Sequence, residues 1–325
     1  MTSSQRRRTV IRRFALRSFG AVLALALHAC ASASHPSAGP SPRGSLLIVG
    51  GGPISDAILE RFVQLAGGPG HAKIVIFPMS SSDPDAGVEL TGDFRRMGAR
   101  AERVVLTHQQ ADSEDAARRL DDVTGIWFGG GDQVLLTKAL LHTRVEAAIH
   151  RRYQDGAVVG GTSAGAAVMS TPMLTGDEKH PGGSRPPAKD SNDAYMTIAR
   201  DNVVTEDGFA MLPGAIVDQH FLRRRRHNRL ISLVLENPRL VGVGIDESTA
   251  VEVEPGGRWR ILGESAAFVL DARAAEVTPG GAKTLGATGL RLSVLPAGST
   301  YDLATGKATV PKDTSKTPQK AAEHP

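Results

Sequence analysis

The sequence predicts an α/β protein in which a parallel sheet is covered by helices on both faces and followed by a C-terminal β extension. Three observations point there. From Ser45 onward, short apolar runs alternate with helix-length segments, the pattern of βαβ units. The runs are near-continuous in Val, Ile and Leu, as suits strands buried on both faces. After Glu247 the spacing shortens to strands joined by turns, with no helix-length segment between them.

Taken in order, Leu46–Val49 is the first strand; it runs into Gly50-Gly51-Gly52, and a helix follows near Ile54–Ala66. Ile74–Phe77 is the second strand, ending at Pro78, with a helix near Glu89–Met97. Arg103–Leu106 and Gly125–Phe128 are the third and fourth, separated by a helix near Ser113–Asp121. The fourth stops at Gly129-Gly130-Gly131 and leads into a helix near Asp132–His142. Ala157–Val159 meets Gly160-Gly161, and Ala166–Met169 starts another helix. Thr175–Asp193 is polar, with three Pro and three Gly, and reads as a long surface insertion. A strand at Ala215–Asp218, a helix over about Arg224–Glu236 and a strand at Val241–Ile245 follow. Arg258–Leu262, Phe268–Leu270 and Leu290–Leu295 form the extension. In such sheets ligands bind beyond the carboxyl ends of the strands. Several of those ends are glycine-rich here, where backbone turns tightly or approaches a ligand closely.

Composition narrows the class. Of 325 residues, 41% are hydrophobic and 22% charged, which excludes a wholly disordered, collagen-like or polytopic membrane chain. The single cysteine, Cys30, excludes a disulfide framework and a Cys-based zinc or iron–sulfur site. The net charge is +4, but the first thirty residues hold six Arg and no Asp, Glu or Lys. Without them the remainder is at −2, so the basic excess belongs to the leader and implies no nucleic-acid partner.

Residues 1–29 read as an export signal, with an Arg-rich start and a short apolar run at Phe19–Leu27. That run falls short of the roughly 20 apolar residues a bilayer span requires. Leu27-His28-Ala29-Cys30 resembles a lipobox with lipidation at Cys30; cleavage after Ala31 or Ala33 without lipid is the alternative. The expected location is the periplasm or cell surface, or the medium. Any membrane contact would run through the Cys30 lipid alone. Residues 30–44, rich in Ala, Ser and Pro, form a flexible linker, 45–305 the folded domain and 306–325 a polar tail.

Chemistry concentrates at strand ends. Gly161-Thr162-Ser163-Ala164-Gly165 matches G-x-S-x-G in a strand–turn–helix setting, which exposes a serine hydroxyl on a strained turn. The Ala164 N–H then faces a developing oxyanion near a helix start. The competing reading is a glycine-rich packing turn with a capping serine. A nucleophilic serine needs a base, and His220 lies just past a strand end, on the same sheet edge as Ser163. An acid must orient the imidazole; Asp246 and Glu247, at another strand end, both qualify. Arg223-Arg224-Arg225-Arg226-His227-Asn228-Arg229 opens a helix, where cations repel one another at the positive end of the dipole. Arginine favours carboxylates through paired hydrogen bonds, so the run implies an anionic substrate.

Four ordered blocks carry a family resemblance: Gly129-Gly130-Gly131-Asp132-Gln133; Gly160 to Ala166; Asp218-Gln219-His220-Phe221 with Arg224, Arg226 and Arg229; and Gly244-Ile245-Asp246-Glu247. Together they resemble the cyanophycinases, serine peptidases related to peptidase E. The resemblance implies a class I glutamine amidotransferase-like three-layer sandwich with serine in place of the usual cysteine. It implies Ser163 as nucleophile, His220 as base and Glu247 as acid, with Ala164 and Gly131 as oxyanion donors. Gln133, Asp218, Gln219, Arg224, Arg226 and Arg229 match substrate-binding positions. The implied substrate is cyanophycin, a polyaspartate whose side-chain carboxyls each carry an arginine, and the implied products are β-Asp-Arg dipeptides released through an acyl-enzyme. On that reading acids such as Asp218 meet substrate guanidinium groups. No cofactor or metal is implied, and family members often pair as homodimers. Two other readings stand beside it: hydrolysis of other aspartyl or β-aspartyl peptides, as in peptidase E, and a non-catalytic ligand-binding surface lipoprotein.

Overall fold

The computed structural model describes residues 42–179, 198–282 and 284–312. The export signal, Cys30, the linker up to residue 41, residues 180–197 of the insertion and residues 313–325 of the tail lie outside the described residues. The first half of the domain contains β1 (Leu46–Val49), α1 (Asp56–Leu65), β2 (Lys73–Phe77), α2 (Val88–Arg96), β3 (Arg100–Arg103), α3 (His108–Ala111) and α4 (Glu114–Arg118). It continues with β4 (Gly125–Phe128), α5 (Gln133–Leu140), α6 (Arg144–Asp155), β5 (Val158–Thr162) and α7 (Ala164–Ala167). Then come β6 (Met173–Glu178), β7 (Val203–Glu206), β8 (Ala215–Gln219), α8 (His227–Glu236), β9 (Val241–Ile245), β10 (Thr249–Val253) and β11 (Arg258–Gly263). The chain closes through β12 (Ala266–Asp271), β13 (Glu276–Val277), β14 (Ala287–Thr288), β15 (Arg291–Pro296), β16 (Thr300–Asp302) and β17 (Lys307–Thr309).

Nine strands form the main sheet, in the order β17-β16-β11-β10-β1-β5-β4-β2-β3. Its β1, β5, β4, β2 and β3 run parallel, whereas β10, β11, β16 and β17 continue it antiparallel. Alternation along each strand splits the core in two. Leu47, Val49, Ile74, Ile76 and Trp127 face α1 and α2, where Phe62 meets Trp127 edge-on at 4.9 Å. Leu46, Ile48, Val75, Phe77 and Phe128 face the opposite way, onto Leu136, Leu140, Val145 and Ile149 of α5 and α6. Each such side chain contributes about 1.5–3 kcal/mol on burial, so both helical layers are anchored and the three-layer sandwich expected from the sequence is present.

Four features depart from the sequence reading. First, β8 and β9 leave the main sheet and pair with β12 and β15 in a second one, order β15-β12-β9-β8. One face of it shares the main core through Val217, Val243, Ile245 and Val269; the other is covered by Leu230, Leu233 and Val234 of α8. Their apolar runs look like main-sheet strands because both of their faces are buried too. Second, the third strand is Arg100–Arg103, not Arg103–Leu106. It is an edge strand with only Ala101 buried, so the apolar run after it was a misleading guide. Third, the arginine run does not open a helix: residues 221–226 form turns, and α8 begins at His227. Fourth, the start of the insertion is structured, since β6 pairs with β7 as an antiparallel hairpin. The sequence reading also omitted α6, although Thr143 caps it by accepting the Glu146 N–H and Gly156 stops it in the left-handed region.

Candidate active site

The carboxyl end of β1 gathers three distant segments onto consecutive carbonyls. The Ser163 N–H donates to the Val49 carbonyl at 3.1 Å, and the His220 N–H to that of Gly50 at 2.7 Å. The N–H of Ser248, next to Glu247, donates to the Gly51 carbonyl at 2.9 Å, and the Ser248 hydroxyl to the Pro53 carbonyl at 3.0 Å. Ser163, His220 and Glu247 therefore converge although they follow β5, β8 and β9, which belong to two sheets. The expectation of one shared sheet edge is corrected, while the meeting it was meant to explain occurs. Ser163 (φ 54°, ψ −109°) and His220 (φ 49°) both adopt positive φ, which non-glycine residues rarely do.

Ser163 Oγ lies 2.8 Å from His220 Nε2, and His220 Nδ1 lies 2.6 Å from Glu247 Oε1. An ionised carboxylate only accepts hydrogen bonds, so Nδ1 carries the proton and Nε2 presents a lone pair to the serine hydroxyl. The imidazole is 8% exposed. Its burial, opposed by the Glu247 hydrogen bond and reinforced by the charges of Arg224 and Arg226, holds its pKa below the ordinary value. It is thus neutral, and able to accept a proton, to lower pH than a free histidine. The two carboxylates left open by the sequence part company here. Asp246 caps the turn after His220, accepting the Leu222 and Arg223 N–H groups at 3.0 and 3.1 Å and the Ser265 hydroxyl at 2.8 Å. Glu247 alone meets the imidazole.

The glycine-rich end of β1 is where backbone is expected to turn tightly or approach a ligand; at Gly51 the close neighbour is the base. With φ at +103°, a Cβ there would overlap the His220 ring, and one on Gly52 would come within 2.8 Å of the Glu247 Cβ. On the other side of Ser163, Gly131 lies at φ +140°, where a Cβ would overlap the Ser80 carbonyl, and its N–H has no backbone acceptor among the described residues. Ser80 clamps this loop: its hydroxyl donates to the Gly130 carbonyl at 2.8 Å and its carbonyl accepts the Asp132 N–H at 2.7 Å. Nothing in the sequence around Pro78-Met79-Ser80 signalled that role. Ala164 begins α7, a single turn of four residues, so any stabilisation there comes from its own N–H rather than from a long helix dipole.

A cleft of about 470 Å³ runs from Ser163 and Gly131 past Gln133 to Gln219, Arg224, Arg226 and Arg229. Gln133 spends both amide hydrogens on the Leu174 and Thr175 carbonyls, each at 2.6 Å, which ties the β6–β7 hairpin to the cleft and leaves only its oxygen for a ligand. The Gln219 side-chain oxygen is buried without a partner among the described residues, and its main-chain carbonyl accepts from Arg226 Nη1 at 2.9 Å. Asp218, 1% exposed, is held by both sides of the Arg229 guanidinium, with Nε to Oδ2 at 2.9 Å and Nη2 to Oδ1. That pairing corrects the expected contact between Asp218 and a substrate guanidinium: its charge is already met from within the chain. Arg224 has no ion pair among the described residues, and with Arg226 it gives this wall its positive character.

The model for peptidase family S51 matches residues 46–261. Over 256 residues the chain is 36% identical to the cyanophycinase of Synechococcus elongatus, covering 76% of this chain and 74% of that one. It is 33% identical over 271 residues to the cyanophycinase of Geminocystis herdmanii (strain PCC 6308), covering 80% and 94%. The crystal structure of a peptidase from an acI-B1 Actinobacterium superposes with a TM-score of 0.58 at 20% identity over 81% of this chain and 98% of that one, a likeness of fold.

Proposed function

The chain belongs to peptidase family S51 and is a serine-type peptidase; from that premise we propose that it hydrolyses cyanophycin to β-Asp-Arg dipeptides. The observation that carries the reading is the Ser163–His220–Glu247 relay opening into a cleft edged by Arg224 and Arg226. Its similarity to proteins named cyanophycinase supports it. Each polymer branch ends in a carboxylate, and Arg224 and Arg226 offer it guanidinium groups.

Ser163 Oγ attacks the backbone carbonyl carbon while its proton passes to His220 Nε2, with Glu247 stabilising the imidazolium that forms. The Ala164 and Gly131 N–H groups receive the oxyanion. His220 then gives the proton to the departing amine, the C–N bond breaks, and an ester to Ser163 remains. Water, deprotonated by His220, attacks that ester, and Ser163 recovers its proton as the acid leaves.

Incubation with insoluble cyanophycin and with a panel of aspartyl dipeptides, followed by mass spectrometry, tests the substrate. Release of β-Asp-Arg is expected, together with a loss of about 10⁴-fold or more in kcat for Ser163→Ala. Cleavage of the dipeptides alone would replace the reading with a peptidase E-like one. Failure of a fluorophosphonate to label Ser163 would leave a binding protein. We also propose export and lipidation at Cys30, supported by the Arg-rich leader and its lipobox-like end. Palmitate labelling that survives Cys30→Ala would refute the anchor.

A further inference from the structure

A second crevice lies on the face of the main sheet that carries α1 and α2. It measures about 460 Å³ and opens between Pro53 and Ile54, just beyond β1, and Glu89, Leu90 and Asp93 of α2. Gly130 and Thr162, chain neighbours of Gly131 and Ser163, line it, so its inner end lies one residue along the chain from the nucleophile.

We propose that this crevice binds the leaving half of the substrate, the aspartyl unit whose amine departs, and that Glu89 and Asp93 hold that unit's arginine branch. The inference rests on the polymer reading above. Two arguments carry it. The first is direction: His220 Nε2 must deliver its proton to the departing amine, so the chain beyond the scissile bond leaves past the imidazole. The imidazole sits on Gly51, and the chain runs from there through Gly52 into Pro53 and Ile54, one wall of the crevice.

The second argument is charge. No Lys or Arg lines this crevice among the described residues, whereas Lys138, Arg224, Arg226 and Arg229 line the other cleft beside Asp132, Asp177 and Glu206. Glu89 and Asp93, four residues apart on α2, share a helix face. Glu89 has neither an ion pair nor a hydrogen bond among the described residues. Asp93 pairs with Arg96, a side chain 65% exposed and therefore weakly held. Ile54 and Leu90 provide apolar surface for the methylene stem of an arginine. A polymer with a guanidinium on every unit is thus gripped by carboxylate on one side of the scissile bond and by guanidinium on the other.

The test uses two substrates with the same acyl half. One joins β-Asp-Arg through its backbone carbonyl to a second β-Asp-Arg; the other joins it to p-nitroaniline. The quantity read is the ratio of kcat/KM for the first over the second. Glu89→Gln lowers this ratio by about fivefold at low salt, Glu89→Lys lowers it further, and added salt shrinks both differences. A ratio equal to that of the wild type in both variants overturns the proposal, as does an equal fall when the second unit is a bare aspartate without arginine. A wild-type enzyme that cleaves the anilide but not the branched pair refutes the polymer reading itself, and this inference with it.

Discussion

The two sides of the nucleophile are held in place by different parts of the chain. The relay of Ser163, His220 and Glu247 hangs on main-chain bonds to the carbonyls of Val49, Gly50 and Gly51. The substrate-facing wall depends on side chains: Gln133 on the hairpin carbonyls, Arg226 on the Gln219 carbonyl, Arg229 on Asp218 and Asp246 on the turn after His220. Main-chain bonds are indifferent to side-chain identity provided that register is kept and nothing bulky intrudes. Side-chain bonds change with each substitution. Proton-transfer geometry is thereby decoupled from the surface that selects the substrate.

The largest expected effect falls on the side-chain-held wall. Arg229→Met leaves the Asp218 carboxylate buried with only the longer Arg226 ion pair and the Gln219 N–H, and lowers unfolding stability by about 3 kcal/mol, measured by chemical denaturation. Adding Asp218→Asn restores part of it. A variant of native stability with a raised KM would instead make Arg229 a substrate ligand first, as the sequence alone suggests.

Next comes the main-chain side. Gly51→Ala forces a Cβ into the imidazole at φ +103° and lowers kcat by about 10²-fold with little change in KM, through displacement of the base. Wild-type kcat in a folded Gly51→Ala protein would show that the base has room to shift, and the contrast between the two sides would weaken.

The smallest effect links the two sides. Burial first, then Arg224 and Arg226, keep the His220 pKa low. His220 works in its neutral form, so activity is lost as pH falls through its folded pKa. The wild-type acid limb of kcat/KM therefore lies below the ordinary imidazole value of about 6.5. Arg224→Gln removes one cation, raises that pKa and moves the limb to higher pH. A limb that stays put, or moves down, would mean that the wall does not reach the base electrostatically.

The relay was legible because each member sits in a local pattern: Ser163 in a strand–turn–helix glycine frame, His220 and Glu247 directly after apolar strands. The choice of Glu247 over Asp246 came from the family resemblance alone, because adjacent carboxylates at a strand end point opposite ways and the local pattern does not say which way is inward. Membership of β8 and β9 in a second sheet was equally hidden, since burial on both faces leaves the same apolar signature in either sheet. Gly51 carried a signal, an unusual glycine run, but glycine says only that something comes close, and here it is the base. Asp218 misled for a related reason. A carboxylate near arginines in sequence can serve a ligand or its own chain, and the eleven residues to Arg229 bring that guanidinium back onto it.

The anchoring of three segments on successive peptide units makes the end of β1 intolerant of length change. One residue added or removed between Ile48 and Val49 shifts by one place the carbonyls that hold Ser163, His220 and Ser248, so a single codon disturbs all three anchorages together. The stretch joining β6 to β7 obeys another rule: doubling a loop there raises its closure entropy by only about 0.6 kcal/mol. Length variation is therefore cheap between the two strands of that hairpin and ruinous at the end of β1.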